Sequence, residues 1–189
     1  MSVNILGGVA KGFSLETPSS YLTRPTSVML KRRLFDSIQD FSNQVFVDLC
    51  AGSGSIGFEA LSRGADEVYL VENAKNAYFC LKKNKKNLYN KYPDLGETIC
   101  TKSEMISWLK KNYSLVAEKS PTIFVDPPYE KRELYEGIFN FFSNSSFPPK
   151  LILEACEQKT MKIDEFQKRF GEADKIFQQG TTYFIIYDL

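Results

Sequence analysis

From residue 45 to the C-terminus, short apolar runs alternate with segments of helical periodicity, and this alternation leaves few folds open. "VFVDL" (45–49), "EVYLVE" (67–72), "ETICT" (97–101), "TIFVD" (122–126) and "KLILEAC" (150–156) read as strands. Between them lie helical patterns: a glycine loop opening a helix that stops at Gly64, then a helix over 74–91 with Ala77, Leu81 and Leu88 inward. Further helices carry Met105, Trp108 and Leu109, then Leu134, Ile138 and Phe141, then Ile163, Phe166 and Phe170. Parallel neighbours need a crossover connection, so strands alternating with helices imply a mostly parallel sheet covered on both faces. The tail "KIFQQGTTYFIIYDL" reads as two strands joined at Gly180, which puts an antiparallel edge on that sheet.

The first 40 residues differ. "VNILGGVAKGFSLETP" suggests a small glycine-punctuated hairpin, and "RPTSVMLKRRLFDSIQDF" a helix with Leu30, Leu34, Ile38 and Phe41 on one side. Lys31, Arg32 and Arg33 then fall on the opposite side. With 24 basic and 23 acidic residues the net charge is +1, so nucleic acid would have to be met by a local patch rather than by bulk charge. No run is long and apolar enough for a membrane span, and the N-terminus lacks a secretory pattern, so a soluble cytoplasmic protein is expected.

Of 189 residues none is histidine, and the four cysteines (Cys50, Cys80, Cys100, Cys156) lie far apart. This argues against a metal site and removes the Ser-His and Cys-His nucleophile systems.

"GSGSIG" matches GxGxxG through Gly52, Gly54 and Gly57, directly after a strand and opening a helix, with Glu72 ending the next strand. Glycines allow close approach of backbone to ligand, and a carboxylate at the second strand end can accept hydrogen bonds from two ribose hydroxyls. An adenosine-containing cofactor follows, either a dinucleotide or S-adenosylmethionine. Asp48 would stand near the cofactor's middle, where a dinucleotide carries two phosphates and S-adenosylmethionine an ammonium and a sulfonium, so the acid favours the latter.

"DPPY" (126–129) stands at the end of the fourth of these strands, where an open parallel sheet binds its ligands. Two prolines hold a stiff extended backbone. Asp126 and the Pro127 carbonyl can accept the two hydrogens of an exocyclic amine, and Tyr129 offers a face on which a base can stack. Methylation of such an amine needs no strong base, because the nitrogen becomes acidic only once the methyl group has arrived.

Taken together, "ILGGVAKGFSL", "RPTSVMLKRRLFDSI", "DLCAGSGSIGFEALSRGA", "VEN" and "DPPY" resemble, in order and almost end to end, the bacterial small-subunit ribosomal RNA guanine-N2 methyltransferase family. The resemblance implies a Rossmann-like class I S-adenosylmethionine-dependent fold, α/β, with a seven-stranded sheet in order 3-2-1-4-5-7-6 and the last strand antiparallel. It implies an RNA-binding extension over residues 1–40 ahead of a methyltransferase domain over 41–189. Asp48, Ala51, Gly52, Ser53, Gly54, Glu72, Asn73 and Glu104 would bind the cofactor. Asp126, Pro127, Pro128 and Tyr129 would hold the target guanine, while Lys11, Arg24, Lys31, Arg32 and Arg33 would meet RNA.

Two departures stand out. The family's "RGR" corresponds here to Lys11 and Phe13, and its "VRE" to Leu30, Lys31 and Arg32, which alters the RNA contacts while leaving the cofactor chemistry intact. The expected activity is methyl transfer to the N2 amine of a guanine in 16S RNA, free or in a partly assembled 30S subunit, by a monomer. The alternatives are DNA adenine-N6 methylation, which shares the DPPY logic, and a dinucleotide-dependent (NAD) oxidoreductase, suggested by GxGxxG alone.

Overall fold

A computed structural model describes residues 2–18 and 27–188. Strands β1 (Ser2–Asn4) and β2 (Ser14–Glu16) form a hairpin, followed by α1 (Val28–Ser37). The alternating part runs β3 (Val45–Asp48), α2 (Gly57–Ser62), β4 (Glu67–Glu72), α3 (Lys75–Lys91), β5 (Glu97–Lys102), α4 (Met105–Ala117), β6 (Thr122–Val125), α5 (Arg132–Ser143), β7 (Lys150–Cys156), α6 (Ile163–Phe170), β8 (Lys175–Gln179) and β9 (Thr182–Asp188).

Strands β3 to β9 make one seven-stranded sheet in the order β5-β4-β3-β6-β7-β9-β8. Counted from β3, this is the expected 3-2-1-4-5-7-6. Strand β9 runs antiparallel to both β7 and β8, and the remaining pairings are parallel.

Strand periodicity divides the core into two layers. Phe46, Leu70, Phe124, Ile152 and Phe184 face one side, where they meet α1, α2, α3 and Ile5, Ala10 and Leu15 of the hairpin segment. Val47, Val71, Ile123, Leu153 and Ile185 face the other, against Trp108 and Leu109 of α4, Ile138 and Phe139 of α5 and Phe166 of α6. Both faces of β3 and β6 are therefore covered, and every residue of these two strands is buried. All four cysteines are free thiols. Among the described residues no helix is long and apolar enough to cross a membrane.

Three helical details differ from the periodicity reading. Helix α1 ends at Ser37, so Ile38 is its C-cap and Phe41 is buried beyond the helix. On α5 the buried stripe is Tyr135, Ile138, Phe139 and Phe142, one residue round from the expected one, with Leu134 and Phe141 half-buried at its flank. The third concerns Lys31, expected at an RNA surface. It is 2% exposed, with Nζ 3.0 Å from Glu59 Oε2. Positions 31, 34 and 35 share a helix face at i, i+3 and i+4, so Lys31 lies on the Leu34 and Phe35 side while Arg32 and Arg33 point out.

Candidate functional site

The site grows from the C-terminal ends of four adjacent strands. In β3, β4, β6 and β7 an acid stands two residues beyond a core side chain of the same face: Phe46 then Asp48, Leu70 then Glu72, Phe124 then Asp126, Ile152 then Glu154. A period of two puts all four acids on one face, at the edge where the strands give way to loops. Parallel register aligns them, since Val125 pairs with Leu153 and the next residues are Asp126 and Glu154.

Asp48 is 1% exposed. Its Oδ2 accepts the Gly57 amide at 3.2 Å. Its Oδ1 is buried without a hydrogen-bonding partner. Burial pushes its pKa up to about 7, against the pull of the Gly57 and Cys50 amides and with further upward pressure from Glu72 and Glu154. This orphaned oxygen suits a buried cationic donor.

The loop between β3 and α2 is shaped by left-handed glycines. Gly54 has φ +86°, and a Cβ there would lie 2.4 Å from the Phe58 ring. Gly52 has φ +55° with open space where a Cβ would stand, so backbone is offered directly to a ligand. Glu72 holds this loop, with Oε2 accepting the Gly52 amide at 2.8 Å and Oε1 the Ala74 amide at 2.7 Å. Each carboxylate oxygen retains a second lone pair, so hydroxyl groups can be accepted beside the backbone bonds. Asn73 Nδ2 reaches Glu104 Oε1 at 3.5 Å, bringing the ends of β4 and β5 together. Ala51 is buried and accepts the Gly54 amide at 2.7 Å, and the Ser53 carbonyl accepts Asn84 Nδ2 at 2.9 Å.

After β6, Asp126 is half-buried, Pro127 buried, Pro128 exposed and Tyr129 half-buried. Burial, the negative charge of Glu154 and Asp48, and a hydrogen bond with Glu154 hold the Asp126 carboxyl well above the usual range. Two carboxyl groups in contact disfavour each other's ionised form. Tyr129 Oη donates to Glu154 Oε1 at 2.7 Å, and Thr160 Oγ1 donates to the Tyr129 carbonyl at 2.9 Å. Burial first, then Glu154 and Asp126, push the Tyr129 phenol upward, so it stays a donor. Tyr135 Oη donates to the Glu154 carbonyl at 2.8 Å and more weakly to that of Pro127 at 3.4 Å. The motif is thus braced from β7 and α5.

The structure brings Asp48, the glycine loop, Glu72, Asn73 and Glu104 together with Asp126 to Tyr129 along one edge of the sheet. Glu154 was not among the expected residues. Its signal is an acid inside the apolar run "KLILEAC", and 2% exposure shows that it points inward. Arg32 and Arg33 are exposed, Arg33 Nη1 donating to the Gln178 carbonyl at 3.0 Å, and Lys11 is exposed in the β1–β2 connection. Arg24 lies outside the described residues.

The charges that raise the Asp48 and Asp126 pKa values are those of other carboxylates, Glu72 and Glu154 on the first and Glu154 and Asp48 on the second, while Lys31, the buried cation that feels Asp48, is held by Glu59. This edge suits a cationic ligand and opposes a diphosphate. Among the described residues no three His, Cys, Asp or Glu side chains are placed to hold a metal ion.

The chain is similar to known proteins over most of its length. The model of the family described as "Conserved hypothetical protein 95" matches residues 3–187. Ribosomal RNA small subunit methyltransferase D of Buchnera aphidicola (subsp. Acyrthosiphon pisum) is 32% identical over 160 residues, 83% of this chain and 78% of the relative. Its namesake from Escherichia coli K12 is 30% identical over 146 residues, 77% and 69% respectively. A solved Escherichia coli structure, yhhF, described provisionally as a methyltransferase, superposes with a TM-score of 0.75 at 22% identity, covering 99% of this chain and 97% of its own. That likeness is one of fold.

Proposed function

Given that the chain belongs to the ribosomal RNA small subunit methyltransferase D family, we propose that it transfers a methyl group from S-adenosylmethionine to the exocyclic N2 amine of a guanine in 16S RNA, in the cytoplasm. The observation that carries the reading is the pairing, on one sheet edge, of an orphaned buried Asp48 oxygen with the Asp126–Pro127 acceptor pair. In this reading Asp48 takes the cofactor's ammonium, Glu72 its ribose hydroxyls, and Asn73 and Glu104 flank its adenine. When bound, S-adenosylmethionine supplies an electrophilic methyl carbon on sulfur.

Asp126 and the Pro127 carbonyl accept the two N2 hydrogens of a guanine turned out of its stack onto the Tyr129 ring. These acceptors draw the amine lone pair out of conjugation and toward the incoming carbon. Asp126 and the Pro127 carbonyl would hold the amine in line with the methyl carbon that the cofactor would supply, its sulfur retaining the electron pair of the C–S bond, and the methylated nitrogen would release its proton to water. Holding both partners in line supplies most of the acceleration. The exposed Lys11, Arg32 and Arg33 of the 1–40 extension are assigned to the RNA backbone. Lys31 is not, because it is committed to Glu59.

The test is methyl transfer from labelled S-adenosylmethionine to naked small-subunit RNA, to small subunits from cells lacking the enzyme, and to genomic DNA, with the product base identified by mass spectrometry. N2-methylguanine in a ribosomal acceptor is expected. N6-methyladenine in DNA would overturn the substrate assignment. Asp126→Ala is expected to abolish turnover with cofactor affinity retained, and wild-type turnover in that variant would refute its role.

A further inference from the structure

Helix α3 carries Lys75, Lys82, Lys83, Lys85, Lys86 and Lys91 and no acid. The chain as a whole is only +1. Six positive charges on one helix leave −5 for everything else, so α3 is a strong local concentration of positive charge in a protein that otherwise has none to spare.

Three of the lysines serve the fold. Lys83 pairs with Glu16 at 2.7 Å, Lys85 donates to the Thr98 carbonyl and lies over the Tyr89 ring, and Lys91 lies over Tyr92. Lys75, Lys82 and Lys86 do not: among the described residues they make no ion pair. They are exposed, and with Phe79 they follow spacings of four, three and four, which draws a single stripe along the outer face. Phe79 is 60% exposed, although it is among the largest apolar side chains of the protein.

Helix physics does not explain this stripe. Lys75 is the first residue of α3, where the helix dipole disfavours a cation, and no acid in the first turn offsets it. Lys82 and Lys86 are a like-charged i, i+4 pair, which disfavours the helix. An inert solvated face would intersperse both signs. Three uncompensated cations around an exposed aromatic ring match a phosphate backbone whose bases can stack.

The place of the stripe fits as well. It starts three residues after Glu72, at the rim of the cofactor loop, and, because β4 and β5 are parallel, runs back along the sheet from that edge for about 16 Å at 1.5 Å per residue.

We propose that the Lys75–Phe79–Lys82–Lys86 stripe is a docking surface for single-stranded RNA flanking the target base, with Phe79 as the stacking platform. The proposal rests on the reading of the chain as an RNA methyltransferase, and binding and turnover are measured separately so that the two can fail separately.

A fluorescein-labelled 12-nucleotide single-stranded RNA is titrated by anisotropy at several salt concentrations, with a labelled polyglutamate peptide in parallel. Phe79→Ala should weaken RNA binding about tenfold, and Phe79→Trp should restore it. The triple variant Lys75→Gln/Lys82→Gln/Lys86→Gln should reduce the slope of log affinity against log salt by about 2, at roughly 0.7 per lost phosphate contact. Calorimetric affinity for S-adenosylmethionine should not change, and in the transfer assay KM for RNA should rise with kcat unaltered.

Wild-type RNA affinity and salt slope in these variants would overturn the proposal. So would variants that lose the peptide but keep the RNA, which would make the stripe an acidic-protein site. If wild-type protein methylates no RNA but the variants still lose RNA binding, the enzymatic reading falls and the surface stands.

Discussion

Glu59 is the hub of a buried ion network, and its removal should be far more costly than removal of the lysine it neutralises. Its side chain is 0% exposed and has three partners: Lys31 Nζ at 3.0 Å, Arg63 Nε at 2.9 Å and the Leu6 amide at 2.7 Å. Lys31, by contrast, has Glu59 as its only ion-pair partner among the described residues, and burial already lowers its pKa. Glu59→Ala therefore strands a buried ammonium and an orphan amide, at a cost of about 3–5 kcal/mol. For a domain of this size each kcal/mol lowers Tm by about 2–4 °C, so a drop of about 6–20 °C is expected. Lys31→Met removes the buried charge, leaves Glu59 with Arg63 and Leu6, and fills similar volume, so its cost should stay within about 1.5 kcal/mol. Urea unfolding followed by circular dichroism gives both numbers, with the slope against denaturant unchanged. Equal destabilisation by the two substitutions would refute the hub. A flatter salt dependence of RNA binding in Lys31→Met would return Lys31 to the RNA surface.

Four further outcomes are expected. Asp48 ionises near 3.8 unfolded but near 7 when folded, so the folded chain binds the extra proton between those values. The stability this contributes is present below about pH 4 and lost as pH rises toward 7, a fall that Asp48→Asn should flatten. Because an ammonium favours the ionised form, affinity for S-adenosylmethionine should weaken below pH 7 by up to about tenfold per pH unit, and calorimetry showing no pH dependence would refute the Asp48 assignment. Glu154 raises the Asp126 pKa, so Glu154→Gln should move the acid limb of the kcat/KM profile to lower pH, and an unmoved limb would sink the coupling. Tyr129→Phe keeps the ring but loses the bond to Glu154, and kcat/KM for RNA should fall by a few-fold, about 0.5–1.5 kcal/mol.

Much of the fold was legible because strands and helices write their periods locally. "VFVDL", "EVYLVE" and "TIFVD" show a short apolar rhythm, the glycines of "GSGSIG" mark a turn that L side chains resist, and the prolines of "DPPY" stop a strand. These signals depend on neighbours within a few residues, so the sheet, its crossover order and the two motifs at its edge followed from the sequence with the family resemblance beside it.

The partnerships across the chain were decided by packing alone. Lys31 and Glu59 are 28 residues apart, and nothing local distinguishes a lysine that reaches a buried carboxylate from the exposed Arg32 and Arg33 beside it. Glu154 read as one acid in an apolar strand until the β6–β7 register set it beside Asp126 and under the Tyr129 hydroxyl. The chain alone determines which residues take which backbone period. Which charges meet, and so which titrate, depends on strand order and register, because desolvation and Coulomb attraction act through space and take no account of separation along the sequence.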